Sequence, residues 1–307
     1  MLTAYLAPLD LEEALGSELK NIVSRHGRLF LTEGPCQKTY WAQNIWIDAK
    51  ILPFTSISHA AKQLRGLHGL WAYYPHSHIR RAALISAQLP YFSPKPLTFP
   101  CKLPLTAPGS WTLLDESTLL ASAQCTSFFA NGEVHFQETK EPPSRAYLKL
   151  WEIFTKIGQM PLKGQKCLEA GASPGSWTWV LQKLGAEVIA VDRAELDPKI
   201  LKLPSVQYWK KDAFSLSSQT VPDIEWVFSD MICYPAKLLQ WISQWNEVNL
   251  VCTIKFQGKE DYKIIPEFEK IEKSRIFHLY HNKHELTWVK LHSWNAVPNP
   301  AKGLASF

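Results

Sequence analysis

One segment of the chain, residues 167–192, constrains the fold more than any other. An apolar run ends at Glu169, a turn that contains Gly171 and Gly175 follows, and a second apolar run ends at Asp192. Two buried strands separated by a glycine turn and a helix form a βαβ unit, whose strands run parallel in one sheet. The segment therefore predicts an α/β domain with a nucleoside-sized ligand at the carboxyl ends of its strands.

The charge around this turn distinguishes two classes of ligand. In a dinucleotide site the pyrophosphate lies against the helix N-terminus, where the carboxylate of Glu169 would repel it. S-adenosylmethionine instead carries an ammonium and a sulfonium, which a nearby carboxylate attracts. Asp192 can accept the ribose hydroxyls of either ligand. We therefore expect S-adenosylmethionine as the cofactor, bound by the turn and its flanking acids: Glu169, Gly171, Ser173, Pro174, Gly175, Ser176, Trp177 and Asp192.

Length and composition are those of a globular protein with two domains. The chain has 307 residues, of which 46% are hydrophobic and 20% are charged, and a domain averages roughly 150 residues. Consecutive prolines at 142 and 143 disfavour a helix before them and stiffen a linker, so the domain boundary is expected there. Residues 1–141 are expected to form a small α+β module, and residues 142–307 the cofactor-binding domain.

The apolar runs and the cysteines predict neither a membrane segment nor a metal site. No run approaches the ~18 apolar residues of a membrane helix, and the N-terminus has no basic stretch, so we expect a cytoplasmic protein. The six cysteines lack metal-binding spacing and are expected to be reduced, and Cys101 has no supporting context as a nucleophile. The net charge of +5 is compatible with a nucleic-acid partner without requiring one.

Helix and strand patterns alternate after residue 142. This alternation predicts a mostly parallel sheet with helices on both faces. The last two predicted strands, 276–280 and 285–292, are separated by only a few residues, so they are expected to form an antiparallel hairpin. A mostly parallel sheet with an antiparallel last strand is typical of the Rossmann-like fold of methyltransferases.

Two lysines and two carboxylates are predicted to converge at one edge of this sheet. Asp230 and Lys255 end neighbouring predicted strands, and Glu285 begins the last strand. Lys149 lies in the helix before the cofactor strand. Such a cluster suits methyl transfer to a sugar hydroxyl, because this weak nucleophile must lose its proton. A lysine can accept that proton only if burial and a second cation lower its pKa, while the carboxylates orient the two amines.

These motifs resemble one known family. Five stretches are similar, in this order, to the motifs of FtsJ-type RNA ribose 2′-O-methyltransferases: residues 144–150, 169–177, 229–231, 254–255 and Glu285. Residues 230–237 most resemble the RlmM group, which modifies a cytidine of large-subunit ribosomal RNA.

The resemblance implies roles for individual residues. It implies a catalytic tetrad that consists of Lys149, Asp230, Lys255 and Glu285. Within the tetrad, Lys255 is expected to activate the 2′-hydroxyl. Asp212 is expected to contact the adenine of the cofactor, and Asp230 is also expected at the cofactor.

Before residue 144 the resemblance is weak. In the RlmM group a ferredoxin-like module and a THUMP domain precede the catalytic domain and help to hold RNA, and residues 1–141 are expected to be a shortened version of this arrangement. Arg145, Arg80 and Arg81 are candidate contacts to RNA phosphates. The expected partner is therefore RNA, ribosomal in origin, and a monomer is favoured.

Two other functions remain open from the sequence. The chain could methylate the oxygen of a small molecule, although the tetrad and the extra N-terminal module argue against this. It could also act as an RNA-binding protein in ribosome assembly, with catalysis dispensable. Base methylation is disfavoured because the sequence has no Asn-Pro-Pro-Tyr-like motif and no supported cysteine nucleophile.

Overall fold

The computed structural model describes residues 1–245 and 247–295. The described residues divide into two compact units: an N-terminal unit of Met1–Leu97 with Leu103–His135, and a C-terminal unit of Thr98–Lys102 with residues 136–245 and 247–295. The short segment 98–102 packs with the C-terminal unit because Phe99 stacks on Trp151, with ring centroids 5.1 Å apart. This long-range stacking has no local sequence signal, so the pattern of prolines could not reveal it.

The N-terminal unit is an α+β structure with two sheets. Its strands and helices are β1 Leu2–Leu6, α1 Glu12–Glu18, β2 Ile22–His26, β3 Leu29–Glu33, β4 Asn44–Ile47, β5 Lys50–Pro53, α2 Ile57–Leu67, β6 Trp71–Tyr73, α3 Ile79–Ser86, β7 Gly109–Leu113, β8 Thr118–Ser122 and β9 Gln124–Cys125. One sheet has the order β2-β3-β1-β4-β9 and the other the order β5-β8-β7-β6.

Helices α2 and α3 are not evident from the sequence pattern, although α2 carries a usable signal. Ser56 accepts a hydrogen bond from the backbone N–H of His59, which satisfies one free donor at the helix start. Ala60, Ala61 and Leu64 follow at helical spacing and are buried in the core of the second sheet. The pattern at 132–136 favours a strand, but this region contains a 3₁₀ turn, Ala130–Gly132, and only an isolated β-bridge residue, Phe136.

The C-terminal unit contains one large sheet and five helices among the residues the structure describes. Its elements are α4 Tyr147–Ile157, β10 Lys166–Ala170, α5 Ser176–Lys183, β11 Glu187–Asp192, α6 Pro198–Leu201, β12 Val206–Lys210, β13 Trp226–Ser229, α7 Pro235–Ile242, β14 Asn249–Lys255, α8 Ile265–Glu269, β15 Ser274–Phe277 and β16 Glu285–Lys290. Two 3₁₀ turns, Ala213–Ser215 and Lys259–Ile264, lie between them.

The seven strands of this sheet follow the order β12-β11-β10-β13-β14-β16-β15. The first five strands pair in parallel, and β16 is antiparallel to both of its neighbours. The predicted mostly parallel sheet with an antiparallel last strand is therefore confirmed. The chain reverses its direction of travel between β10 and β13, and such a switch point opens a crevice for a ligand at the carboxyl ends of the strands.

The central strands are apolar on both faces, as strands covered by two helix layers must be. Residues 250–254 of β14 are all buried, and so is every residue of β13. The longest helices, α2 and α4, have 11 residues each. Along the described part of the chain, we found no helix with the length and apolar character that a membrane crossing requires.

Candidate active site

The glycine turn after β10 lies against the loop that follows β13. Gly171 has φ +77°, a conformation that glycine adopts at little cost. A Cβ atom at this position would lie 2.7 Å from Met231 Cγ and 2.9 Å from Met231 Cα. Only glycine therefore allows the two loops to approach this closely, and their contact forms one wall of a cavity.

A cavity of about 330 Å³ opens at the switch point. It has the size that small-ligand sites commonly have. Its lining combines acids, cations and apolar groups: Gly171, Ser173, Val191, Asp192, Arg193, Lys211, Asp212, Ala213, Phe214, Asp230, Met231, Ile232 and Lys255. Of the predicted cofactor residues, Gly171, Ser173, Asp192, Asp212 and Asp230 line this cavity.

Backbone donors hold two of the lining acids in place. Asp192 accepts hydrogen bonds from the N–H of Ser173 at 2.9 Å and of Ala194 at 2.8 Å. Asp212 accepts one from the N–H of Phe214 at 3.0 Å. Fixed carboxylates beside an aromatic ring suit a nucleoside whose tail is positively charged, so the residues present fit S-adenosylmethionine.

Glu169 does not play the electrostatic part expected from the sequence. Its side chain points into the protein, is 2% exposed and does not line the cavity. Its carboxyl group accepts a hydrogen bond of 2.5 Å from the hydroxyl of Thr178 in α5. Burial raises the pKa of Glu169 to about 8, although the bond from Thr178 opposes this. The negative charge that attracts the cofactor therefore comes from acids that line the cavity.

Four further residues of the turn support it from behind and do not line the cavity. The hydroxyl of Ser176 is within 2.8 Å of the hydroxyl of Ser144. The indole N–H of Trp177 donates to the carbonyl of Ala146 at 2.9 Å. Gly175 lies against Ile200, which a Cβ atom would approach to 2.8 Å. The contacts of Ser176 and Trp177 tie the start of α5 to the segment before α4. Gly175 packs against α6, and the carbonyl of Pro174 accepts a hydrogen bond from the N–H of Asp197 just before that helix.

The structure brings the four predicted tetrad residues into one cluster. Lys149 Nζ lies 2.5 Å from Glu285 Oε1 and 3.3 Å from Asp230 Oδ2. Lys255 Nζ lies 2.9 Å from Asp230 Oδ1 and donates to the carbonyl oxygen of Asp230 at 2.5 Å. All four side chains are largely buried. Lys149 therefore has two carboxylate partners, whereas Lys255 has one.

The sheet register produces this cluster. Lys255 at the end of β14 is directly opposite Glu285 at the start of β16, because these two strands are antiparallel. Asp230 directly follows β13, the neighbour of β14 on its other side. Lys149 reaches the same place from α4. The three strands and one helix thus contribute one charged side chain each.

The charges in the cluster shift two pKa values. Burial by itself would lower the pKa of Lys149, but the carboxylates of Asp230 and Glu285 outweigh it and raise the pKa. Burial likewise opposes ionisation of Asp230, but Lys149 and Lys255 lower the pKa of its carboxyl group. Lys149 therefore does not have the lowered pKa that a proton-accepting lysine needs, because two carboxylates contact it.

Two residues of the site were missed from the sequence. Thr253, two residues before Lys255 on the same face of β14, donates to Asp230 Oδ1 at 2.6 Å. Glu152, in α4, is fully buried and accepts hydrogen bonds from the N–H groups of Tyr280 and His281 and from the His281 ring. The spacing of Thr253 is a signal that could have been used. Glu152 fixes the connection between β15 and β16, and hence the approach to Glu285.

The candidate phosphate contacts lie in both units. Arg145 is exposed and forms a two-point ion pair with Glu138, at 2.6 and 2.8 Å. Arg80 and Arg81 begin α3 of the N-terminal unit, where Arg80 is exposed and Arg81 lies over the ring of Phe54. Among the described residues, no group of three His, Cys, Asp or Glu side chains is arranged to hold a metal ion.

Comparison with known proteins finds relatives of the C-terminal unit. Residues 142–279 match the family model described as FtsJ-like methyltransferase. Proteins named "Ribosomal RNA large subunit methyltransferase M" are similar to the chain. The one from Halorhodospira halophila is 31% identical over 109 residues, 34% of this chain and 32% of that protein. The one from Shewanella sp. strain W3-18-1 is 30% identical over 206 residues, 57% of this chain and 55% of that protein.

The chain thus spans about half the length, or less, of these curated relatives. Among solved structures, TrmN from Thermus thermophilus aligns with 94% of this chain and 99% of its own at a TM-score of 0.38 and 11% identity. A likeness of this size does not bear on function.

The sheet order and the acid-lined cavity are those of a nucleoside-binding α/β domain, and most of this domain matches the model described as FtsJ-like methyltransferase. The predicted cofactor is confirmed. Residues 142–279 match the model of the FtsJ-like methyltransferase family, and the predicted resemblance to this family and to its RlmM group is confirmed.

The raised pKa of Glu169 predicts a pH-dependent effect on stability. The folded protein retains a proton on Glu169 between an ordinary pKa near 4.5 and about 8, whereas the unfolded chain releases it. The contribution of this residue to the free energy of unfolding therefore falls as the pH rises through that window. Glu169→Gln should be more stable relative to the parent protein at pH 9 than at pH 5, as measured by urea denaturation.

Glu187→Gln is the matched control, because Glu187 is an exposed acid at the start of the neighbouring strand. Its unfolding curves should differ little from those of the parent protein at both pH values. Parallel stability profiles for Glu169→Gln and the parent protein would contradict a protonated Glu169 in the folded state.

Proposed function

We propose that the chain transfers a methyl group from S-adenosylmethionine to a ribose 2′-hydroxyl of RNA, at a cytidine of large-subunit ribosomal RNA. The observation that carries this proposal is the unequal environment of the two lysines around Asp230. Lys149 is held between two carboxylates and does not line the cavity, whereas Lys255 has one carboxylate partner and does line it. The cluster therefore offers one fixed cation and one amine beside the cofactor site.

The proposed roles follow from this difference. The two carboxylates and the raised pKa keep Lys149 charged, so it acts as a permanent cation that orients Asp230 and Glu285. Lys255 is the base that takes the proton of the 2′-hydroxyl. Asp230 positions the Lys255 amine through its carboxylate and its carbonyl oxygen, and Thr253 fixes that carboxylate in turn.

The cofactor supplies a methyl group on positively charged sulfur when it is bound. Asp192 and Asp212 would hold its nucleoside part, and the turn at Gly171 and Ser173 would lie beside its tail. Lys255 and Asp230 line the same cavity, so they would hold a substrate hydroxyl beside the cofactor. Holding the two reactants together in this way supplies a large part of the rate acceleration.

The charge distribution of the N-terminal unit supports RNA as the partner. From Lys50 to Leu114 the sequence has no Asp or Glu. Helices α2 and α3 lie in this stretch and carry three exposed cations, Lys62, Arg65 and Arg80. A surface with cations and no carboxylates binds the phosphate backbone of nucleic acid without regard to sequence. Arg81 and Arg145 remain proposed phosphate contacts, although Arg145 would have to leave Glu138.

The direct test uses the protein with labelled S-adenosylmethionine and an in vitro transcript of the large-subunit ribosomal RNA of the source organism. We expect label in a single cytidine, and the phosphodiester bond that follows it should resist alkaline cleavage. Label in a base, or transfer to small phenols with none to RNA, would contradict the proposal.

Replacement of Lys255 separates chemistry from binding. Lys255→Ala should reduce the rate of methyl transfer by about 10²- to 10⁴-fold, the contribution of a general base. Binding of S-adenosylhomocysteine, measured by calorimetry, should change little. Lys183→Ala, which removes an exposed lysine of α5, should leave both quantities unchanged.

Asp192→Ala should show the reverse pattern, in which binding of S-adenosylhomocysteine is weakened first. Loss of cofactor binding as the sole defect of Lys255→Ala would contradict the assigned role.

Removal of the cations of α2 and α3 tests the RNA surface. The combined variant Lys62→Ala, Arg65→Ala and Arg80→Ala should weaken binding of ribosomal RNA fragments of any sequence. In a plot of the logarithm of affinity against the logarithm of salt concentration, the slope should become less negative. We expect a change of roughly one for each phosphate that the variant no longer binds. Fluorescence anisotropy across a salt series measures both effects. An unchanged salt slope would contradict phosphate binding by these helices. Lys270→Ala, which removes an exposed lysine next to α8, is the control and should leave the slope unchanged.

A further inference from the structure

The loop between β13 and α7 contributes Met231 and Ile232 to the cavity lining and exposes two large apolar side chains. Ile232 is 87% exposed and Tyr234 is 59% exposed. Among the described residues of the C-terminal unit, only Leu162 and Leu201 are further large hydrophobic side chains with comparable exposure. Single exposed apolar residues are common on protein surfaces. Here two of the four such residues of the unit lie two positions apart in one loop, and such a cluster marks a binding surface.

The backbone of this loop is held at both ends. Met231 is buried under Gly171 at the start of the loop. Pro235 is buried and opens α7 at its end. Cys233, between the two exposed residues, is partly buried. Ile232 and Tyr234 therefore project outward from a loop whose position is fixed by its neighbours.

One of the two side chains lies in the same cavity as the proposed base, and the other is close to it in the chain. Ile232 lines the same cavity as Asp230 and Lys255. Tyr234 is four residues beyond Asp230, a distance that the chain spans within about 14 Å. Within the described part of the chain, the Tyr234 ring has no stacking, cation or side-chain hydrogen-bond partner. Its aromatic face is thus available to a binding partner.

We propose that Ile232 and Tyr234 form a platform on which the nucleobase of the modified nucleotide stacks. The proposal rests on the proposed function, because a ribose whose 2′-hydroxyl reaches Lys255 brings its own base to this loop. That base must leave the stack of its neighbours in the RNA, which costs free energy. An aromatic side chain restores the stacking on a new partner, and an aliphatic side chain covers the remaining apolar surface.

The charges around the platform favour a nucleotide over an apolar partner. Lys237 lies in the first turn of α7, with its Nζ 3.7 Å from the ring centroid of Phe214. Lys255, on the neighbouring strand β14, lines the cavity. A small apolar surface next to the cation of Lys237 and the proposed base fits a nucleobase with its phosphate, whereas a protein or lipid partner would require a larger apolar area.

The test compares Tyr234→Ala, Tyr234→Phe and Leu162→Ala in steady-state methylation of the ribosomal RNA transcript. Tyr234→Ala should raise the KM for RNA roughly 5- to 100-fold, the range expected when one base loses its aromatic stacking partner. Tyr234→Phe should have the same KM for RNA as the parent protein, because a phenylalanine ring stacks equally well. Leu162→Ala removes another exposed apolar side chain of the same unit and should leave the KM unchanged. The affinity for S-adenosylhomocysteine should be the same in all three variants and the parent protein.

A second arm removes the base instead of the side chain. An RNA whose target nucleotide lacks its base should be methylated equally well by the parent protein and by Tyr234→Ala, since no stacking remains to be lost. If the parent protein methylates the transcript but Tyr234→Ala has an unchanged KM, the platform is refuted and the proposed function stands. If the parent protein does not methylate RNA at all, both proposals are overturned.

Discussion

The carboxylate of Asp230, buried between two lysine amines, is the interaction on which the site depends. A buried carboxylate is costly unless cations and hydrogen bonds compensate for lost water, and removal of one partner of such a pair costs about 3–5 kcal/mol. Lys149, Lys255 and the hydroxyl of Thr253 provide this compensation. Because these partners come from α4 and β14, the position of Asp230 fixes both elements at the carboxyl edge of the sheet.

Helix α4 supports the site in two places. Lys149 contacts Glu285 at the start of β16, and Glu152, three residues later, binds the backbone of Tyr280 and His281. One helix thus holds the connection from β15 to β16 both in its middle and at its end. The position of Glu285 is therefore set by its ion pair with α4 as well as by its pairing opposite Lys255.

The sequence was informative where a side chain is fixed by local geometry. Gly171 predicted the turn, and the polar residues at strand ends, Asp230 and Lys255, predicted a shared edge of the sheet, because parallel strands end at the same edge. Contacts between distant parts of the chain were not predictable. Glu169 turns inward to Thr178, Lys149 has two carboxylate partners, and Phe99 crosses to Trp151, all through packing that no local pattern encodes.

The most direct measurement compares single-turnover methyl transfer by Lys149→Arg and Lys255→Arg. An arginine keeps its positive charge and cannot accept a proton under these conditions. If Lys149 is a permanent cation and Lys255 is the base, Lys149→Arg retains most of the rate of the parent protein, whereas Lys255→Arg loses it. Retention of the rate by Lys255→Arg, with or without a decrease in Lys149→Arg, would contradict this division of roles around Asp230.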